Sequence, residues 1–225
     1  MSKSHNTRLL NIYDLLYNAL GPCHWWPAES RLEIIIGAIL TQGVSWKNVS
    51  KAIANLRATD SLNIAALKEM DEEILAGLIR STLYHRQKTR KIKTLLGWVD
   101  TRYGGDIDRM LASPTAELRG ELLNLWGIGP ETADSILLYA GCHPVFVVDA
   151  YTRRIFARMG LVEENIAYDN MQSYLEAHLP RQVDLYNEYH ALLVRLGAEF
   201  CKKKQPRCTY CPVLSCCAHG AGKEC

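Results

Sequence analysis

Apolar positions recur at helical spacing along nearly the whole chain. Leu9, Ile12, Tyr13, Leu16 and Leu20 share one face of a helix that Gly21-Pro22 stops. Pro27 keeps Trp25-Trp26 out of a helix. Ser30 and Glu33 then form a capping box before a very apolar run, Leu32 to Thr41, whose lack of a polar face predicts burial on nearly all sides. Ser45 is placed to cap a helix reaching about Leu56, and helical spacing resumes from Ile64 to Ile79, with Asp71 preceding a new segment. Ile92, Leu95, Leu96 and Val99 define another apolar face, and Ser113-Pro114 caps a helix leading into residues 122–154. Residues 151–159, 169–178 and 185–200 read as later helices. The strand-like run Pro144 to Asp149 is short and reads as an extended entry to the helix that follows. The pattern predicts an all-α fold.

The 225 residues can bury a substantial core, in one domain or two small ones. A net charge of only +2 does not point to nucleic acid, so any such evidence must come from local clustering. Residues 80–93 supply one cluster: six Lys/Arg, including Arg86 and Lys88, plus His85. No apolar run is long enough to cross a bilayer, and the start of the chain lacks a secretory apolar core, which predicts a cytoplasmic protein. Eight cysteines are present, six of them between Cys201 and Cys225. Such clustering points to metal or iron–sulfur ligation rather than a disulfide scaffold.

Two motifs carry chemistry. Leu125-Trp-Gly127-Ile-Gly129-Pro-Glu-Thr-Ala133 fits a helix-hairpin-helix, with two glycines for a tight turn and close approach to a ligand, and Pro130 tolerated in a first helical turn. Amides at such a helix start suit a DNA phosphate. Asp149 follows an apolar run and stands where it can cap the helix beginning at Ala150. In the tail, Cys201-x6-Cys208-x2-Cys211-x5-Cys217 offers four thiolates, the natural iron–sulfur ligands, with structural zinc as the alternative. Cys216 competes with Cys217 for the fourth place, and Cys225 reads as a bystander.

The hairpin, the Val147-Val148-Asp149 run and the cysteine spacing together resemble the helix-hairpin-helix DNA glycosylases of the endonuclease III superfamily, from about Ser30 to Cys217. The resemblance implies a helical barrel over residues 28–140 and a second helical domain, from residues 1–27 and 141–225, closed by a [4Fe-4S] cluster. DNA would lie in a groove between them. It implies a monomer acting on double-stranded DNA that contains a damaged base, with Asp149 catalytic. A carboxylate near the breaking N-glycosidic bond stabilises oxocarbenium character or helps activate water. Bifunctional members carry a lysine where this chain has Glu131, and a carboxylate cannot form an imine. The expected enzyme is therefore a monofunctional glycosylase.

Trp25-Trp26-Pro27, Trp46 and Glu131 resemble the base pocket of the bacterial 3-methyladenine branch. Indole faces and a carboxylate suit a cationic alkylpurine. Removal of uracil or thymine from mismatches is an alternative, as is a noncatalytic DNA-binding module. Further DNA contacts implied are Gln42, in the gap left by the flipped base, Leu83 as an apolar wedge, Arg86, Lys88, Gly127, Gly129, and the basic loop residues Lys202, Lys203, Lys204 and Arg207.

Overall fold

Thirteen α-helices follow one another among residues 2–221, the part that the computed structural model describes: α1 (Ser2–Leu20), α2 (Arg31–Leu40), α3 (Trp46–Ala58), α4 (Ile64–Glu69), α5 (Glu72–Leu78), α6 (His85–Tyr103), α7 (Ile107–Leu111), α8 (Thr115–Leu123), α9 (Pro130–Ser135), α10 (Ala150–Arg158), α11 (Tyr168–His178), α12 (Val183–Glu199) and α13 (Ala218–Ala221). No strand occurs among the described residues, and Cys225 lies outside them. The chain divides into two units, one made of Met1–Trp25 and Pro144–Cys225, the other of Trp26–His143. The borders fall two or three residues from those read in the sequence.

In the Trp26–His143 unit, α2 packs against α3, α6, α9 and the turn after α9. Ile35, Ile36, Ile39 and Leu40 are fully buried, as the unbroken apolar run predicts. Each contributes about 1.5–3 kcal/mol of transfer free energy. Ser30 caps α2 by accepting from Glu33 N at 3.2 Å. The other half of the expected box differs: Glu33 is buried and receives the Arg57 guanidinium at 2.6 and 3.1 Å, together with Glu29 N. A buried carboxylate needs such a charged partner, and Arg57 is near enough to supply it. Ser45 stands at the start of α3 without a side-chain capping bond. At the start of α8 the N-cap position is Pro114, again without one, and Ser113 Oγ turns instead to the Tyr103 hydroxyl.

After α9 the helix continues as a π turn, Ile136–Ala140, closed by Gly141 N donating to Ile136 O at 3.1 Å. Side-chain periodicity gives no sign of this extra residue, because all five positions are apolar or small.

In the second unit, Leu9, Ile12 and Leu16 of α1 are buried, and Tyr189 of α12 donates its hydroxyl to Leu9 O at 2.9 Å. The apolar run 145–148 is buried and extended yet pairs with no strand. Polar groups at and near α11 take the place of a neighbouring strand. Glu176 accepts from Phe146 N at 2.8 Å, Gln172 donates to Phe146 O at 2.8 Å, and the Tyr168 hydroxyl accepts from Val148 N at 3.3 Å. Buried backbone groups must find partners, and here side chains supply them. The segment is thereby held straight up to Asp149.

Candidate functional site

The hairpin lies between α8 and α9. Its turn runs through Gly127, at φ +81, a left-handed conformation that favours glycine. Ile128 is buried and anchors the turn, and Pro130 opens α9. From below, Asp134 is held at 0% exposure by a bidentate pair with Arg119 of α8, at 2.7 and 3.1 Å. The two glycines serve different purposes. A Cβ on Gly127 would stand 2.5 Å from Lys91 Cε, so that α-carbon is covered by protein, whereas a Cβ on Gly129 would meet nothing within 4 Å. Close approach by a ligand is open at Gly129. At Gly127 the need is conformational.

Glu131, in the first turn of α9, is exposed. Gln42 follows α2, and its amide is tied to the hairpin. Nε2 donates to Gly127 O at 3.1 Å and to Thr132 Oγ1 at 2.8 Å, while Oε1 accepts from Lys91 Nζ. The amide is thereby held against the hairpin. Leu83 and Tyr84 are 56% and 72% exposed, at φ +51 and +45. Two successive non-glycine residues in that region cost about 1–3 kcal/mol each, a strain that the surroundings must hold in place. Leu83 is exposed beside Tyr84, a side chain that the sequence reading did not single out.

Arg86 is exposed and pairs with Glu73 at 2.9 Å. Lys88 requires correction as a phosphate contact. It is 2% exposed, and its ammonium donates inward to Leu40 O at 2.8 Å and Thr82 O at 2.6 Å. Burial pushes its amine down to about 8, with Lys91 adding to the effect.

Two of the three tryptophans, Trp26 and Trp46, belong to the Trp26–His143 unit. Trp26 meets Trp46 edge-to-face at 5.4 Å and Tyr139, in the π turn, at 5.2 Å. It also lies over Gly37 of α2, where a Cβ would come within 3.0 Å of the indole. Trp25 belongs to the other unit and lines an open concavity there, with Tyr13, Tyr17 and Glu188. Pro27 is exposed. Tyr139 went unnoticed in the sequence because the π turn, which sets its direction, leaves no local signal.

Asp149 is the N-cap of α10 and is 8% exposed. Its Oδ1 accepts from Thr152 N at 2.7 Å and from Thr152 Oγ1 at 2.8 Å. Oδ2 stands 3.8 Å from His190 Nε2 on α12. Burial lowers the His190 pKa below the ordinary histidine value, while the Asp149 charge works the other way. A neutral imidazole leaves the carboxylate charge uncancelled. His190, a polar residue among apolar ones on α12, was the available signal for this pair.

Cys201, Cys208, Cys211 and Cys217 line one small concavity, with Arg158, Phe200 and His219. Burial raises the Cys211 thiol, and the nearby Cys201, Cys217 and Cys208 raise it further. Arg158 donates to Cys201 Sγ at 3.3 Å and to Lys202 O and Lys203 O at 2.8 and 3.1 Å. Cys216 is not among the lining residues; its sulfur accepts instead from Asn11 of α1 at 3.5 Å. Among the described residues, no three His, Cys, Asp or Glu side chains are grouped closely enough to share a single metal ion. Lys203, Lys204 and Arg207 are exposed, and Lys202 is half-buried.

Residues 36–181 match the HhH-GPD superfamily base excision DNA repair protein family. A Methanocaldococcus jannaschii protein, provisionally named DNA repair glycosylase MJ1434, is 41% identical over 218 residues, covering 96% of this chain and 99% of that one. Among solved structures, a trapped endonuclease III–DNA covalent intermediate shares the fold at a TM-score of 0.82 and 22% identity, covering 96% of this chain and 97% of that one. The 3-methyladenine DNA glycosylase of H. pylori, bound to 1,N6-ethenoadenine, gives a TM-score of 0.70 at 26% identity, covering 85% of this chain and 96% of that one. No helix among the described residues is long and apolar enough to cross a membrane. The chain belongs to the HhH-GPD superfamily of base excision DNA repair proteins and is a DNA glycosylase of that superfamily.

Proposed function

We propose that the protein is a monofunctional glycosylase, acting as a monomer, that flips an alkylated purine, 3-methyladenine or a relative, out of duplex DNA and hydrolyses its N-glycosidic bond. The observation that carries this reading is the buried, hydrogen-bonded Asp149, in a chain whose hairpin has Glu131 where an amine would be needed. Asp149 stabilises the developing positive charge on the sugar, and the held Oδ1 leaves Oδ2 for the reacting sugar or water. Glu131 cannot form a Schiff base, so the product is an abasic site with an intact strand.

The aromatic group of Trp26, Trp46 and Tyr139 supports an alkylpurine, since electron-rich ring faces attract a cationic base. Likeness to the H. pylori 3-methyladenine DNA glycosylase bound to 1,N6-ethenoadenine favours a modified adenine. Leu83 and Tyr84 serve as the wedge that fills the opened base step. Gly129, Arg86 and the basic loop at Lys203, Lys204 and Arg207 contact phosphates, which fixes the register on the duplex without reading sequence.

Cys201, Cys208, Cys211 and Cys217 suit a [4Fe-4S] cluster. One tetrahedral zinc with bonds of about 2.3 Å needs its thiolates crowded together, whereas a cluster gives each thiolate its own iron and spreads the four around a cavity. When bound, such a cluster supplies iron–sulfur bonds that fasten the 201–217 loop. Arg158 offers the thiolates a charged donor.

A panel of duplexes with one lesion each tests the substrate. Release of 3-methyladenine at a rate well above that of uracil or mismatched thymine is the expected result. Activity confined to mismatched pyrimidines would overturn the alkylpurine assignment.

A further inference from the structure

Three features turned toward DNA in this reading are held by lysines of a single helix, α6. Lys88 is buried, and its ammonium donates to Leu40 O at 2.8 Å and Thr82 O at 2.6 Å. Leu40 lies two residues before Gln42, and Thr82 immediately precedes the strained Leu83-Tyr84 pair. One side chain therefore ties the end of α2 to the exposed turn. Lys91, three residues further along α6 and on the same face, lays its stem over Gly127 and donates to Gln42 Oε1. A lysine has only donors, so this contact fixes the amide with Nε2 toward Gly127 O and Thr132 Oγ1, at 3.1 and 2.8 Å.

We propose that Lys88 and Lys91 are positioning residues, an internal frame that holds the Leu83-Tyr84 turn, the Gln42 loop and the hairpin at a fixed spacing, and that neither of them contacts a DNA phosphate. The inference rests on the reading that these three features meet DNA. Burying an ammonium is costly unless its donors are used, and here two of them are used on the main-chain carbonyls of Leu40 and Thr82. A surface assembled before DNA arrives loses less ordering entropy on binding, which favours discrimination between damaged and intact duplex.

Lys88→Met removes a donor from two carbonyls and is expected to destabilise the fold, so Lys91→Met carries the decision. In the free full-length protein, amide hydrogen exchange at residues 41–44 and 125–129 should quicken by about tenfold, a local opening made easier. In duplex binding, the preference for lesion over intact DNA should fall by about tenfold with the salt dependence unchanged. Gln42→Ala should show the same loss, and the double variant no more than either single one. A salt slope reduced by about one, with equal loss on damaged and intact DNA, would mark Lys91 as a phosphate contact and overturn the frame. Unchanged exchange, or additive losses, would overturn it too. A wild-type protein with no lesion preference and no base release refutes the glycosylase site instead, and the exchange result still decides the frame.

Discussion

Glu131 and Asp149 are carboxylates at the starts of two helices, in different units, and they differ in what decides chemistry. A helix start favours negative charge in both places. Asp149 is almost fully buried, has Oδ1 fixed by two donors, and faces a histidine that burial keeps neutral. Glu131 is exposed on a short helix. Solvent screens an exposed charge, while a desolvated, hydrogen-bonded one acts at greater strength and in one direction. The same functional group thus makes a fixed electrostatic element in one unit and a replaceable surface charge in the other.

Asp149→Asn is the strongest way to break this contrast. Asparagine keeps the helix cap and removes the charge, so single-turnover base release should fall by about 10²–10³-fold or more while duplex affinity stays near wild type. Retained turnover would mean that another group performs the reaction. Glu131→Lys sharpens the contrast from the other side. Borohydride should trap no covalent DNA adduct with the wild-type protein and should trap one with the variant, whereas Glu131→Gln should change base release by about fivefold at most, the scale of an exposed charge. An adduct with wild-type protein would show that some other amine serves as a lyase nucleophile.

The smallest effect concerns His190 and acid stability. Its folded-state pKa lies below the ordinary histidine value of 6.5, because the ring is buried. Above that pH the imidazole is neutral in both states and contributes nothing. Below it the unfolded chain binds the proton first, so stability declines as pH falls from 6.5 toward the folded value, by at most about 1.4 kcal/mol per pH unit. His190→Gln should remove that part of the slope in denaturant titrations at a series of pH values. An identical slope in the variant would assign the acid sensitivity elsewhere.

Much of the site was legible in local pattern. Gly127-Ile-Gly129-Pro130 specifies a turn and a helix start through backbone conformation alone, and the structure puts the turn there. Cys201, Cys208, Cys211 and Cys217 were grouped by spacing as candidate ligands, and these four, without Cys216, line one concavity. Lys88 shows where pattern fails. In a run of basic residues every lysine looks alike, and only the packing of α6 against α2 turns this one inward. Trp25 and Trp26 are neighbours in sequence yet belong to different units, because the border between the units falls between them. Tyr139 and His190 depend on a π turn and on a contact between helices, neither of which leaves a periodic trace.

By itself, then, the sequence determined what short-range physics controls: helices from apolar spacing, the hairpin from glycine and proline, the extended approach to Asp149, and the grouping of cysteines near the C-terminus. Tertiary structure decided which polar groups lose their water and what they meet when they do. Burial and partner choice are properties of residues far apart in the chain, and they turned one of two helix-start carboxylates into a buried, oriented group and left the other at the surface.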